Sequence, residues 1–215
     1  GRDSLRLEAQ QRIERREQFR CGGRNCGGQG RPGGTGGRFV SYSDVILLSG
    51  GVDSAFLAIT VAPDIAPGLA LFVDYGQPSI KRERRAASAI ADRVGLDFKE
   101  LKVDGLELGG MDEWESGLAI VPARNAWLIS LAAAFGKNVW IGASPSDADY
   151  PDCQPVFLGQ FSVALNQAYG SCVSYSPATR EHRLRVLAEH GYDEITWSCY
   201  GAGDNPCGQC ASCSQ

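Results

Sequence analysis

The sequence predicts an α/β protein: a parallel, Rossmann-like sheet with helices on both faces, followed by a small metal-binding subdomain. Three observations lead there. Short unbroken apolar runs alternate with helix-forming stretches from residue 45 onward. The first run ends in a glycine turn that opens a helix. Four of the eight cysteines crowd into the last 17 residues. With 215 residues, 43% of them apolar and 21% charged, the chain can bury one core, and disorder throughout is excluded.

In chain order, the expected strand Val45–Leu48 precedes a helix over Ser54–Val61, and Leu69–Val73 precedes Ile80–Val94. Phe98–Val103 then precedes Arg124–Phe135, and Val139–Ile141 precedes Val156–Tyr169. Continuous apolar strands of this kind are covered on both faces, and their ligands sit beyond the carboxyl ends. Residues 3–20 are strong helix formers with Leu5, Leu7, Ile13 and Phe19 as a weak apolar face. Nine of the 17 residues from Cys21 to Gly37 are glycine, so this stretch reads as a linker or a clamp over something else. Cys21 and Cys26 cannot close a metal site as a pair and are read as ordinary cysteines. The expected organisation is an arm over 1–44, a nucleotide-type domain over 45–190 and a cysteine subdomain over 191–215.

The net charge of −4 hides an asymmetry. Residues 1–44 hold nine Arg and five acidic residues, leaving 12 basic and 20 acidic residues, so the arm is +4 and the body −8. So acidic a body argues against a large nucleic-acid face, while the arm reads as a solvated helix and tail or as a docking surface for an acidic partner. The longest mainly apolar stretch, Ala126–Phe135, is ten residues, against roughly 20 for a membrane span. With no charged-then-apolar leader, the expected location is the cytoplasm.

Ser49-Gly50-Gly51-Val52-Asp53-Ser54 follows the first strand directly. Two glycines admit an anion close to the backbone, the first helical N–H groups point at it, and the serines add donors. Neither the Walker pattern nor G-x-G-x-x-G is present here. Asp53 would repel phosphate unless a cation lay between them, which implies Mg²⁺. Asp74 and Gln77 stand at the second strand's tip, Arg124 and Asn125 open a helix, and Asp149-Tyr150-Pro151-Asp152-Cys153 follows the fourth strand. Cys199, Cys207, Cys210 and Cys213 are spaced to converge on one tetrahedral ion, which favours metal over disulfides.

SGGVDS resembles the pyrophosphate loop of the N-type ATP pyrophosphatases. Together with DYGQ, VPARN, GA followed by DYPDC, and SCY followed by C-x-x-C-x-x-C, it resembles the QueC family of 7-cyano-7-deazaguanine (preQ0) synthases over about residues 45–213. The resemblance implies an adenine nucleotide alpha hydrolase-like fold and an ATP-dependent ligase. Such enzymes adenylate the carboxylate of 7-carboxy-7-deazaguanine, form the amide with ammonia, and activate the amide again to leave the nitrile. It also implies that Ser49, Gly50, Gly51, Val52, Asp53 and Ser54 grip pyrophosphate, with Asp53, Ser54 and Arg124 as the catalytic group. Asp74 and Gln77 would hold the nucleotide or order the loop. Arg124, Asn125, Asp149, Tyr150 and Asp152 would meet the deazaguanine, the four late cysteines would bind structural zinc, and related enzymes resemble homodimers.

The sequence departs from the family pattern in three places. The family's Lys before the last helix is missing, with Arg180 the nearest replacement. The segment between the third strand and Val121 is short, and the arm over 1–44 is additional. These departures keep a second reading, a QueC-like antiphage-defence enzyme that joins the deazaguanine to a protein amine, with the arm as docking surface. A tRNA thiolation enzyme with an iron–sulfur cluster is the third reading, opposed by the acidic body and by DYPDC.

Overall fold

In a computed structural model, the described residues are 20–21, 42–65, 68–106, 121–144, 150–210 and 212–213. The described residues build one six-stranded sheet. Its strands are β1 (Arg20–Cys21), β2 (Tyr42–Leu47), β3 (Gly68–Asp74), β4 (Asp97–Lys102), β5 (Gly136–Trp140) and β6 (Cys172–Tyr175). The helices are α1 (Val52–Val61), α2 (Ile80–Val94), α3 (Arg124–Ala133), α4 (Pro155–Tyr169) and α5 (Arg180–Glu189).

The order across the sheet is β1-β6-β5-β2-β3-β4, parallel throughout except for the antiparallel β1. Chain direction therefore reverses at β2: the fold first grows through β3 and β4, then returns to place β5 on the other side. A crevice opens at such a switch point, beyond the carboxyl ends of the strands.

Alternation along the central strands explains why they read as unbroken apolar runs. Ile46, Leu48, Ala70 and Phe72 face one core with Ala55, Leu57, Ile90 and Leu187, from α1, α2 and α5. Val45, Leu47, Leu69 and Leu71 face the other with Ile129, Leu158 and Leu165, from α3 and α4. Ile46, Phe56, Leu57 and Phe72 are each at most 1% exposed, and burying such a side chain contributes roughly 1.5–3 kcal/mol. At the edge, β4 reads Asp-Phe-Lys-Glu-Leu-Lys and turns its charges to solvent, which discourages further pairing.

The observed elements match the expected ones with shifted ends, and two features differ. The four-residue β6 was not expected. Arg20, expected as the last residue of a helix, pairs with Tyr175 in β1, because the exposed edge of β6 offers its backbone a strand partner. The remainder of the expected helix over 3–20 and Cys26 lie outside the described residues. Among the described residues, no helix is long and apolar enough to cross a membrane.

Candidate active site

The turn after β2 is shaped by close approach. Gly50 has φ +85°, and a Cβ there would lie 2.7 Å from the Glu83 carbonyl oxygen and 2.8 Å from the Ala87 nitrogen of α2. Glycine is therefore required on two counts. Gly51 stands in extended geometry at the head of α1, and no side chain caps that helix, whose first-turn N–H groups are of the kind that suits an anion. The hydroxyls of Ser49 and Ser54 lie 3.1 Å apart, and Ser54 Oγ donates to the Gly51 carbonyl at 3.1 Å. From the other side of the switch point, Gly142 comes so near that a Cβ would sit 2.9 Å from the Ser54 nitrogen.

A cavity of about 260 Å³ opens over this turn. Among the expected residues, Ser49, Gly51, Val52, Asp53, Ser54, Gln77, Arg124, Asn125 and Tyr150 all line it. Three expected residues do not. Gly50 forms the turn itself. Asp74 is ion-paired with Arg84 at 2.9 Å and accepts the Gly76 N–H at 3.1 Å, so it orders the turn after β3. Asp152 accepts the Asn125 N–H at 2.8 Å, which puts its charge on the N-terminal turn of α3. Asp149 lies outside the described residues.

Several wall residues carry no obvious sequence signal. Glu83 accepts from Ser79 Oγ at 2.6 Å and from Gln77 Nε2 at 2.9 Å. Loss of solvation pushes its carboxyl above the ordinary glutamate range, against those two hydrogen bonds and the charge of Arg124. Burial works against the charge of Arg124, but the neighbouring Tyr75, Cys153, Asp152 and Tyr200 outweigh it and hold the guanidinium above its ordinary value. Arg180 also lines the cavity, and its Nε is the one buried side-chain nitrogen or oxygen among the described residues with no hydrogen-bond partner.

The largest departure from expectation is Arg183. It is fully buried, and its Nη1 donates to Asp53 Oδ1 at 2.6 Å. The expected reason for Mg²⁺ was the uncompensated charge of Asp53; its Oδ1 already faces a cation, so that charge needs no metal to offset it. A sequence signal did exist. Arg183 lies four residues before Leu187, on the buried stripe of α5.

The late cysteines converge. One sulfur from each of Cys199, Cys207, Cys210 and Cys213 lies within 4.8 Å of the others, close to the roughly 3.8 Å spacing around a tetrahedral ion with bonds of about 2.3 Å. Cys199 Sγ accepts N–H groups from Gly201 and Cys207, and Cys207 Sγ accepts that of Cys210. Backbone N–H groups of Gln209 and Cys210 bring the Cys207 thiol down to about 7. The donor set therefore fits a closed structural ion. This subdomain is tied to the glycine turn, since the Trp197 N–H donates to the Gly50 carbonyl at 2.9 Å, and Trp197, Ser198 and Tyr200 complete the cavity wall.

An uncapped helix N-terminus at the switch point of a parallel sheet, reached by SGGVDS, defines a protein of the PP-loop class. Residues 43–215 match the family model described as queuosine biosynthesis protein QueC, and the chain belongs to that family. It is 30% identical over 198 residues to a 7-cyano-7-deazaguanine synthase of Campylobacter concisus, covering 79% of this chain and 89% of that one. Similar proteins of the same name occur in Koribacter versatilis (32% identical, 79% and 84% covered) and Methanosphaerula palustris (34%, 79% and 90%). Among solved structures, the U34-tRNA thiolase NcsA from Methanococcus maripaludis with its 4Fe-4S cluster has a TM-score of 0.40 at 15% identity, over 75% of this chain and 61% of that one. NMN synthetase from Francisella tularensis has a TM-score of 0.31 at 18% identity, over 46% and 44%.

Proposed function

We propose that the chain is an ATP-dependent ligase that converts 7-carboxy-7-deazaguanine to 7-cyano-7-deazaguanine with ammonia as nitrogen source. The observation that carries this reading is the meeting of the uncapped α1 N-terminus with Arg124 and Asn125 in one cavity. One end is suited to a departing pyrophosphate and the other to a planar acid. The names of the relatives supply the substrate class.

A carboxylate oxygen attacks the α-phosphorus of ATP, and the bond from that phosphorus to the pyrophosphate oxygen breaks. Ser49, Gly50, Gly51, Val52, Asp53 and Ser54 form the grip on that leaving group, whose growing charge the helix N-terminus stabilises. Arg124 offsets the charge at the α-phosphate, and Arg180 stands in for the family's missing Lys. Ammonia then attacks the acyl carbon, AMP leaves, and a proton is lost to give the amide. In the second cycle the amide oxygen takes AMP from another ATP. Loss of AMP and two nitrogen-bound protons leaves the nitrile. Proximity supplies much of the rate.

Asn125 and Tyr150 face the deazaguanine, while Asp152 aims Arg124 and Asn125 by holding the start of α3. Gln77 orders the nucleotide side, with Asp74 behind it. Zinc held by Cys199, Cys207, Cys210 and Cys213 would supply no chemistry to the reaction, only a clasp on the loop.

Mass spectrometry of products from 7-carboxy-7-deazaguanine, ATP and ammonia tests the reading. The nitrile is expected. An amide that never advances, or a mass increase only on an added protein, would replace it with the conjugating reading.

A further inference from the structure

Arg183 is built in behind Asp53, a residue of the cavity wall, in a way that the proposed reaction does not use. Its side chain is fully buried, 130 residues from its carboxylate partner in sequence. Besides the 2.6 Å bond from Nη1 to Asp53, Nη2 donates to the Ala143 carbonyl at 2.9 Å and to that of Ser176 at 2.8 Å, and Nε donates to that of Ala178 at 3.1 Å. The guanidinium also lies 5.7 Å from the centre of the Phe56 ring in α1.

We infer that Arg183 is the resident counter-cation of the glycine turn: it takes the place at Asp53 that a divalent ion would otherwise fill, so the turn holds pyrophosphate without a metal bridge to Asp53. The inference rests on the proposed reading of the cavity.

Three carbonyls, from the segments that follow β5 and β6, fix the guanidinium in place, so it cannot follow Asp53 toward another partner. Arginine keeps its proton at any ordinary pH. A divalent ion that drew Asp53 away would leave a buried, uncompensated cation, an outcome that buried pairs resist strongly. With the pair intact, the first turn of α1 presents a neutral ion pair and free helix-end dipoles to an arriving anion. Without Arg183, the half-buried Asp53 carboxylate would repel that anion at short range and moderate dielectric. Arg183 is thus a positioning residue: it touches no substrate and acts through Asp53.

The test is calorimetric titration of the full chain with inorganic pyrophosphate, in EDTA and in excess Mg²⁺. Wild type should bind in both, with dissociation constants within about fivefold of each other. In Arg183→Met, the constant in EDTA should weaken by about tenfold or more relative to the constant in Mg²⁺, a ratio that a merely structural role would not move. The double variant Asp53→Asn/Arg183→Met removes both charges and should regain metal-independent binding. It also decides the matter should the single variant fail to fold. Wild type that binds only in Mg²⁺, or an Arg183→Met that matches it in EDTA, overturns the inference and leaves the ligase reading intact. Wild type that binds pyrophosphate in neither buffer overturns both.

Discussion

The two ends of the cavity are built differently. At the proposed phosphate end, backbone does the work: a glycine that tolerates no Cβ, an uncapped helix, and a turn held from outside by Trp197 and through Asp53 by Arg183. At the proposed acceptor end, side chains do it. Arg124 and Asn125 are aimed by Asp152 from 27 residues away, at the start of a helix entered through Ala123 with φ +53°. Backbone recognition is tied to a short contiguous motif, because each residue acts through its own peptide group. Side-chain recognition is assembled from distant segments and changes readily with the substrate.

If that contrast is right, damage to the clasps of the phosphate end should have the largest consequences. Cys207→Ser should release the ion from the cysteine cluster. The sites in small zinc modules contribute on the order of 10 kcal/mol of binding energy, so a marked fall in melting temperature should accompany the lost metal. Elemental analysis and thermal denaturation check this together; lost turnover with metal and melting temperature unchanged would refute the structural role.

Gly50→Ala should cost about 3 kcal/mol, combining a left-handed backbone with a clash against α2, and should abolish AMP formation. Denaturant titration measures the first and a nucleotide assay the second.

Glu83→Gln sharpens the contrast through pH. The Glu83 carboxyl is raised in the fold. Its contribution is therefore fully present below the ordinary glutamate range and is lost as pH rises through the raised value. The glutamine variant should gain on wild type across that rise, as read by unfolding free energies at several pH values. A constant difference would contradict it.

The smallest effect is expected at Ala123. Glycine there relieves about 1 kcal/mol of left-handed strain but adds chain entropy to the unfolded state, leaving a net gain of roughly 0.5 kcal/mol.

The same contrast explains what could be read from sequence. Val45–Leu48 and Leu69–Val73 were legible as strands because they are covered on both faces, and SGGVDS was legible because its chemistry is contiguous. The cysteines announced themselves by spacing. The strand β6 did not: Cys172–Tyr175 is four residues long and includes a buried serine, too short for a period to emerge. Arg183 went unnoticed because its partner Asp53 is 130 residues away and only the fold joins them, and Glu83 because its neighbours Ser79 and Gln77 form no pattern that marks a buried carboxylate. Asp53 was read as implying Mg²⁺, whereas the fold sets the Arg183 guanidinium of α5 against it.

The central claim, that an acid is made reactive by AMP transfer in this cavity, is tested most directly by counting nucleotide products per nitrile formed. Two AMP and two pyrophosphate for each nitrile, with none released when the deazaguanine acid is omitted, is the predicted result. Release of ADP and orthophosphate, or AMP formation indifferent to the acid, would contradict it.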